Sequence, residues 1–246
     1  MAIIGGRAHT IEEVHDVGKL GYPYVEISLY VPEQVENDLD QLLKLKSQYG
    51  IAYLAHFPNE GNPIDLENLR MRFVPRMKKL FELSATLGIA KGTFHFWIDE
   101  RRIAPEMVLQ KIELIMDMVQ AARRLGVVLC LENLSEPFNN FIPAFQRVPD
   151  LRMTLDIGHA QLMTEENTSF GFINNCFDRI AHIHVHDNSG GHSVKDDLHL
   201  PLGEGIVDYP QIFTLLKEKG YASTITMEVK PPAMAKTRNE ILKYLN

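Results

Sequence analysis

Apolar and polar residues follow two kinds of pattern along the chain. Short, mostly unbroken apolar runs of the kind that buried parallel strands require are separated by longer stretches whose apolar residues recur every three or four positions. This alternation predicts repeated strand–helix units around a parallel sheet. The strand candidates are Ile3–Gly6, Tyr24–Leu29, Ile51–His56, Gly92–Trp97, Val127–Glu132, Met153–Gly158, Ile180–His186 and Thr224–Lys230. Such a series predicts an α/β fold, a single closed (β/α)8 barrel of the TIM type.

The helical stretches have clear ends. In Arg70–Leu87 and Pro105–Leu125 the apolar residues form one stripe, and each stretch stops just before a glycine. The tripeptides LGI and LGV at these two ends, and LGY, YGI and KGY elsewhere, each place a glycine between a helix and the next strand candidate and predict left-handed C-caps. A last helix is expected over Met234–Leu245. The long polar connection Asn188–Asp208 is a candidate functional loop that folds over the site.

Composition narrows the class of protein. The 246 residues match the usual size of one barrel, so one domain is expected over residues 1–246. No apolar stretch approaches the roughly 20 residues that cross a bilayer, and the first residues lack the apolar region of a secretory signal, which makes the cytoplasm the expected location. The two cysteines cannot form a disulfide framework. A net charge of -7 disfavours a protein that grips nucleic acid through many phosphates. An oligomer is possible.

Polar side chains stand at the carboxyl ends of nearly all the predicted strands, the edge at which barrel enzymes place their active sites. All are of metal-binding types: Glu26, His56, His95, Glu132, Asp156, His159, His184 and Glu228. A buried carboxylate in an apolar strand is costly unless it is paired or bound to a cation. A set of carboxylates and imidazoles without thiolates suits Zn, Mn, Co or Fe, so the sequence predicts a divalent metal site at this rim.

The loop after the seventh strand supplies two more candidate ligands, Asp197 and His199, within DLHLPLGEG. Its glycines would allow tight turns that bring both side chains back over the rim. A lone strand-end histidine is more often a hydrogen-bonded structural residue than a ligand. Several histidines sharing one rim are a stronger signal, and here they are His56, His95, His159, His184 and His199.

Some positions are open to more than one interpretation. On the seventh strand His182, His184 and His186 share one face, so any of them could point inward, and His184 is the preferred ligand. Glu26 is either a partner of a metal ligand or a substrate contact. Glu136 and Lys230 are expected to be solvated rim residues.

Taken together, the segments HFP, FHFW, LEN, LDIGHA, HVHDN, HLPLGEG and MEV resemble the xylose isomerase-like barrel superfamily. This superfamily joins sugar and sugar-phosphate isomerases and epimerases to the endonuclease IV family. The resemblance spans almost the whole chain. Its most specific pieces are D-x-x-H at the end of the sixth strand, H-x-x-D on the seventh and H-x-P-L-G-E-G in the loop that follows.

Resemblance to the ketose epimerases implies one core metal ion and a small sugar substrate. The implied ligands are Glu132, Asp156, His184 and Glu228. Glu132 and Glu228 would also be the acid/base residues that move a carbon-bound proton through an enediolate. His159 would contact the substrate. His186 stands where many epimerases have a lysine, and it is a candidate substrate-binding residue together with Glu26.

Resemblance to endonuclease IV implies a cluster of up to three zinc ions and a nucleic acid substrate with an abasic site. The implied ligands are His56, His95, Glu132, Asp156, His159, His184, Asp197, His199 and Glu228. The acidic net charge and the small number of Arg and Lys residues beside these motifs weigh against DNA binding. We therefore rank a metal-dependent sugar isomerase or epimerase first, a phosphoesterase second, and a non-catalytic small-molecule-binding barrel third.

Overall fold

The computed structural model describes residues 1–245, except for the side chain of Val194, and it shows eight parallel strands in a closed barrel. The strands are β1 Ile3–Ala8, β2 Tyr24–Ser28, β3 Ala52–His56, β4 Lys91–Phe94, β5 Val128–Glu132, β6 Arg152–Asp156, β7 Ile180–Val185 and β8 Thr224–Met227. β8 closes the barrel by pairing with β1, with Ile4 opposite Ile225. The predicted α/β barrel is confirmed. The domain predicted over residues 1–246 includes Asn246, which lies outside the described residues.

Helices connect the strands around the outside of the barrel. They are α1 Ile11–Lys19, α2 Pro32–Tyr49, α3 Leu66–Asn68, α4 Val74–Thr86, α5 Pro105–Arg124, α6 Ile142–Arg147, α7 Ser169–Asn175, α8 Tyr209–Glu218 and α9 Pro231–Leu245. The side chains of Thr10 and Asp208 cap α1 and α8 by accepting hydrogen bonds from backbone amides in the first turn of each helix. Gly88 and Gly126, just after α4 and α5, have φ of 68° and 75°, as the sequence predicted. None of the described helices combines the length and the apolarity that crossing a membrane would take.

The structure differs from the predicted boundaries in two places that bear on the site. The stretch predicted as one helix from Arg70 begins as a π-helical turn, Leu69–Phe73, and becomes α4 only at Val74. Pro75 explains the change because it has no amide to donate within the helix. The fourth strand ends at Phe94 instead of Trp97, since the Trp97 amide donates to Glu60 Oε1 at 2.6 Å.

The inside of the barrel is polar near the amino ends of the strands. Lys91 Nζ donates to the Ala181 carbonyl at 2.6 Å and to Thr224 Oγ1 at 2.9 Å. One layer higher, Thr93 and Thr154 share a hydrogen bond of 2.7 Å. These contacts satisfy buried polar groups in the interior of the barrel. The side chains at the rim therefore pack on a hydrogen-bonded layer of polar residues.

The loop between β7 and α8 is fastened to the barrel by Asp187, which is completely buried. Its backbone exchanges two hydrogen bonds with Leu200, and its carboxylate accepts the amides of Gly203 and Val207 at 2.9 and 3.0 Å. A Cβ on Gly205 would lie 2.1 Å from the Asn188 carbonyl, so only glycine allows this close return. The loop therefore folds back over the rim, as expected.

Candidate metal centre

Three side chains from β5, β6 and β7 and one from the residue that follows β8 converge at the carboxyl end of the barrel. We call them the core group: Glu132, Asp156, His184 and Glu228. Their ligand atoms all lie within 4.8 Å of one another. His184 Nδ1 is 3.0 Å from Glu132 Oε1 and 3.4 Å from Glu228 Oε1. All four side chains are buried, so their carboxylates need a compensating positive charge such as a bound cation.

A second set, the β3–β4 group, consists of His56, His95 and Glu132. His56 ends β3, and His95 directly follows β4. Glu132 Oε2 lies 2.6 Å from His95 Nε2 and 3.5 Å from His56 Nε2, while its other oxygen faces His184. Glu132 thus belongs to both groups and is placed to bridge two cations.

A third set, the loop group, consists of His159, His186, Asp197 and His199. Asp197 Oδ2 lies 3.2 Å from His159 Nε2 and 3.1 Å from His199 Nε2, and Asp197 Oδ1 lies 3.7 Å from His186 Nε2. His199 has φ of 48°, a left-handed conformation that is uncommon outside glycine. The returning loop therefore brings its two candidate ligands onto the barrel.

Unpartnered buried atoms test whether these groups suit a metal ion. Among the described residues, Asp156 Oδ2, Asp197 Oδ1 and both ring nitrogens of His186 are buried without a hydrogen-bond partner. Each such atom costs about 1–3 kcal/mol when left unsatisfied. These four atoms are acceptors or potential ligand atoms inside the three groups, so the residues present fit divalent cations bound by carboxylates and imidazoles.

The charges within the core group balance one another. Burial raises the pKa of Glu132, but the neighbouring imidazoles of His184 and His95 outweigh this effect and hold the pKa well below its ordinary value. Burial lowers the pKa of His184, but Glu228, Glu26 and Glu132 raise it well above its ordinary value. Protons on the imidazoles therefore supply the positive charge that a cation would otherwise bring to these carboxylates.

Glu26 is buried within the barrel. Its side chain is completely buried beneath His184. Its carboxylate lies 2.8 Å from His182 Nε2 and 3.0 Å from His184 Nε2, and it accepts from Thr226 Oγ1 at 2.6 Å. This position beneath the candidate ligand His184 is typical of a carboxylate that orients a metal-binding histidine, and the role of Glu26 stays a prediction. His182 is hydrogen-bonded to Glu26, and of these two histidines only His184 contributes to the core group.

His186 is buried next to Asp156. It has no exposed surface, and its Nε2 is 3.1 Å from Asp156 Oδ1. All three histidines of the β7 segment are buried inside the barrel, in agreement with their predicted position on one face. His186 belongs to the loop group and is not among the residues that line the cavity described below, and its predicted contact with a substrate stays a prediction.

Arg7 is a site residue that the sequence analysis missed. Its Nε donates to Glu228 Oε1 at 3.2 Å and its Nη2 to Ser28 Oγ at 2.9 Å, and only 4% of the residue is exposed. The predicted first strand stopped at Gly6, whereas β1 continues through Arg7 to Ala8. A charged residue just after an apolar run was the available signal. Arg7 holds Glu228 in place from the side away from β7.

A cavity of about 440 Å³ opens above these groups. Its walls include His95, Trp97, Arg102, Ser135, His159 and Asp197. His95 and His159 both contact Glu132, at 2.6 and 3.3 Å, so the cavity reaches the core group through them. This volume suits a small molecule.

Glu136 is not the solvated rim residue that was expected. It is buried and accepts the backbone amides of Leu134 at 3.0 Å and Ile98 at 3.3 Å. Burial raises its pKa to about 7. Lys230, by contrast, is exposed as expected and pairs with Glu13 at 3.1 Å.

Comparisons with known proteins agree with this architecture. The family model described as "Xylose isomerase-like TIM barrel" matches residues 14–245. An uncharacterized protein of Methanocaldococcus jannaschii is 26% identical over 227 residues, covering 84% of this chain and 74% of the relative. The inosose isomerase of Halalkalibacterium halodurans is 21% identical over 250 residues, covering 92% of this chain and 84% of that enzyme.

Solved structures show the same fold. A D-tagatose 3-epimerase-like protein superposes with a TM-score of 0.82 at 22% identity, covering 99% of this chain and 98% of its own. A Thermus thermophilus protein soaked with ZnCl2 superposes with a TM-score of 0.79, also at 22% identity, covering 98% of this chain and 97% of its own.

Proposed function

We propose that this chain, which belongs to the xylose isomerase-like TIM barrel family, is a divalent-metal-dependent isomerase or epimerase of a small sugar or sugar phosphate. The core group carries the proposal. It places two buried carboxylates, Glu132 and Glu228, against the same nitrogen of His184. Two carboxylates at one site can act as the base that removes a proton beside a carbonyl and as the acid that returns one.

The residues divide the reaction between them. A divalent ion bound by the core group would supply Lewis-acid polarisation of a substrate carbonyl and the hydroxyl beside it. One of Glu132 and Glu228 takes the proton from the carbon next to the carbonyl, and the other returns a proton to the resulting enediolate. Arg7 orients Glu228. His159, whose Nδ1 lies 3.2 Å from the Asn133 carbonyl, is held with its ring against the cavity as a substrate contact.

The cavity supports a compact, charged substrate. About 440 Å³ accommodates a monosaccharide. Arg102 lines both this cavity and an adjoining one. Its guanidinium has no hydrogen bond or ion pair within the described part of the chain, whereas the neighbouring Arg101 is bound to Asp99 at 2.6 Å. Arg102 is therefore available for a phosphate group, which favours a sugar phosphate.

Hydrogen exchange at carbon tests the proposal. Metal-loaded protein is incubated in deuterated water with a panel of ketoses and ketose phosphates, and deuterium at the carbon beside the carbonyl is followed by NMR. We expect exchange with at least one substrate, and Glu132→Gln should slow it by about 10²–10⁴-fold, the usual contribution of a general acid or base.

Glu204→Gln is the matched control, because Glu204 is a carboxylate that pairs with Lys236 at the surface. It should exchange at the wild-type rate. An absence of exchange across the panel with metal bound, or a full rate in Glu132→Gln, would contradict the proposed reaction.

A phosphoesterase of the endonuclease IV type is the second candidate. The observation that favours it is the contact of the three groups through shared neighbours: Glu132 joins the core and β3–β4 groups, and His159 lies 3.3 Å from Glu132. Every ligand implied by that resemblance falls in one of these groups. Incision of an abasic duplex by zinc-loaded protein, without exchange on any ketose, would establish this function in place of the first.

A further inference from the structure

Lys111 is a charged residue in the middle of the apolar face of α5. Its side chain has no exposed surface, and the neighbouring buried positions of the helix are Val108, Ile112, Leu114 and Ile115. A lysine is almost never fully buried unless its charge is paired. An apolar side chain would stabilise this position equally well, because a buried ion pair contributes little net stability. The reason for the charge therefore lies in the residues that it contacts.

The ammonium group of Lys111 joins two connections at the carboxyl end of the barrel. Its Nζ donates to Glu60 Oε2 at 2.6 Å and to the Pro63 carbonyl at 3.0 Å, both in the connection after β3. It also lies over the ring of Phe96, 4.5 Å from the ring centre, in the connection after β4. A cation is attracted to the face of an aromatic ring at this distance. One side chain from the helix layer thus holds both connections.

Glu60 extends this contact to Trp97. Its other oxygen, Oε1, accepts the Trp97 backbone amide at 2.6 Å. Phe96 is buried, and its ring stacks on Phe73 with centroids 5.8 Å apart. The residues on either side of Phe96, which are His95 and Trp97, both line the cavity. The Lys111–Glu60 pair therefore fixes which side chains of this segment face the cavity.

The two connections form a continuous part of the cavity lining, which we call the Trp97 wall. Its residues are Asn59, Glu60, Gly61, Pro63, His95 and Trp97. Within the described part of the chain, neither Lys111 nor Glu60 forms a hydrogen bond or an ion pair with a member of the core group. A change in the pair should therefore move the wall and leave the candidate metal ligands of the core group in place.

We propose that Lys111 is a positioning residue, whose ion pair with Glu60 holds the Trp97 wall rigid so that the substrate binds against it. The nature of that substrate rests on the proposed function, whereas the geometry of the wall does not. Groups that hold a substrate act best when their own positions are fixed by a supporting layer of contacts. Loosening the wall should weaken substrate binding while the acid and base residues keep their places, so KM should rise and kcat should change little.

Trp97 is the only tryptophan of the chain, so its fluorescence reports on the wall without any substrate. Lys111→Met is compared with Lys78→Met, the matched control, because Lys78 pairs with Asp117 at the surface at 2.8 Å. In Lys111→Met, Glu60 loses its counter-charge and should turn toward the water of the cavity, releasing the Trp97 amide. We expect acrylamide to quench Trp97 at least about twofold more efficiently there, with no change in Lys78→Met.

Kinetics with a ketose on which the wild type acts give the second measurement. In Lys111→Met, KM should rise by about tenfold while kcat stays within about threefold of the wild-type value. The Kd of the core-group ion should stay within about twofold of the wild-type value, since its ligands are untouched. A purely structural role would reduce the folded fraction, and with it kcat per chain, without raising KM. Lys78→Met should match the wild type in all three quantities.

A second variant covers the case in which Lys111→Met fails to fold. Lys111→Met/Glu60→Gln removes both charges, and a buried pair is lost at lower cost as a whole than when one partner is left alone. It should show the same increases in quenching and in KM, because the link from α5 to the wall is absent.

Wild-type quenching in the folded variant would overturn the role of the pair in holding the wall, whether or not any ketose reacts. Increased quenching with an unchanged KM, or with a loss confined to kcat, would overturn the role of the wall in substrate binding. If no ketose reacts with the wild type, the proposed function fails, and the quenching result still decides whether Lys111 holds the wall.

Discussion

Replacing Glu26 by glutamine should weaken metal binding without touching a ligand. The carboxylate lies 3.0 Å from His184 Nε2, fixing that nitrogen as the protonated one and leaving Nδ1 to face the core group. Glutamine has the same shape but only one acceptor oxygen. It cannot accept from His182, His184 and Thr226 as the carboxylate does, so at least one donor faces the amide NH2 group.

Two independent figures give the same size of effect. A hydrogen bond to a charged group contributes about 1.5–3 kcal/mol. Loss of a partner that orients a metal-binding histidine typically lowers metal affinity by about 10–100-fold, which corresponds to about 1.4–2.8 kcal/mol. We therefore expect the Kd of the core-group ion to rise by one to two powers of ten in Glu26→Gln.

Competition with a chelating dye measures this Kd directly. Glu136→Gln is the control, because Glu136 is a buried carboxylate outside the three groups. Its metal affinity should equal that of the wild type. The reasoning fails if Glu26→Gln, folded by circular dichroism, binds the ion within about twofold of the wild-type Kd, since orientation of His184 by the carboxylate would then contribute nothing to metal binding.

Charged residues around the cavity give two more predictions. Burial raises the pKa of Glu136 from 4.5 to about 7, so its neutral form is favoured in the folded state and stability should fall as pH rises from about 4.5 to 7. Urea unfolding should show Glu136→Gln similar to wild type at pH 4.5 and more stable at pH 8 by up to about 3 kcal/mol, and identical pH profiles would contradict this. Arg102→Gln should raise KM for a phosphorylated ketose by about tenfold or more with little change in kcat, since the contact is made before and during reaction alike. An equal change in KM for the unphosphorylated sugar would show that Arg102 does not bind phosphate.

The fold was predictable because its signals are local and repeated. Eight apolar runs and the glycines after the helices mark the barrel, and Gly88 and Gly126 adopt the expected left-handed conformation. The boundaries that failed depend on contacts distant in sequence. Trp97 leaves the strand because its amide binds Glu60, which no pattern around Trp97 reveals.

The sequence was enough to select the residues of the candidate site, but it did not show which of their side chains contact one another. Residues such as His56 and Asp197 were selected because they stand at strand ends or in the loop, and the structure brings them to one rim. The alternation on β7 could not separate His184 from His186, since both face inward and are distinguished only by height in the barrel. Arg7 was missed because its partner, Glu228, lies at the other end of the chain.

The bridge between Asp187 and Leu200 has a consequence for how this barrel can diversify. It sets His186 and His199, each one residue from the bridge, side by side whatever the chain does between them. Residues 189–196 lie between Asp187 and Asn188 on one side and the candidate ligand Asp197 on the other, and segments of different length or composition could be exchanged there while the two imidazoles keep their places. Evolution could in this way change which molecules enter the mouth of the barrel and leave the candidate metal-binding side chains beneath it in place.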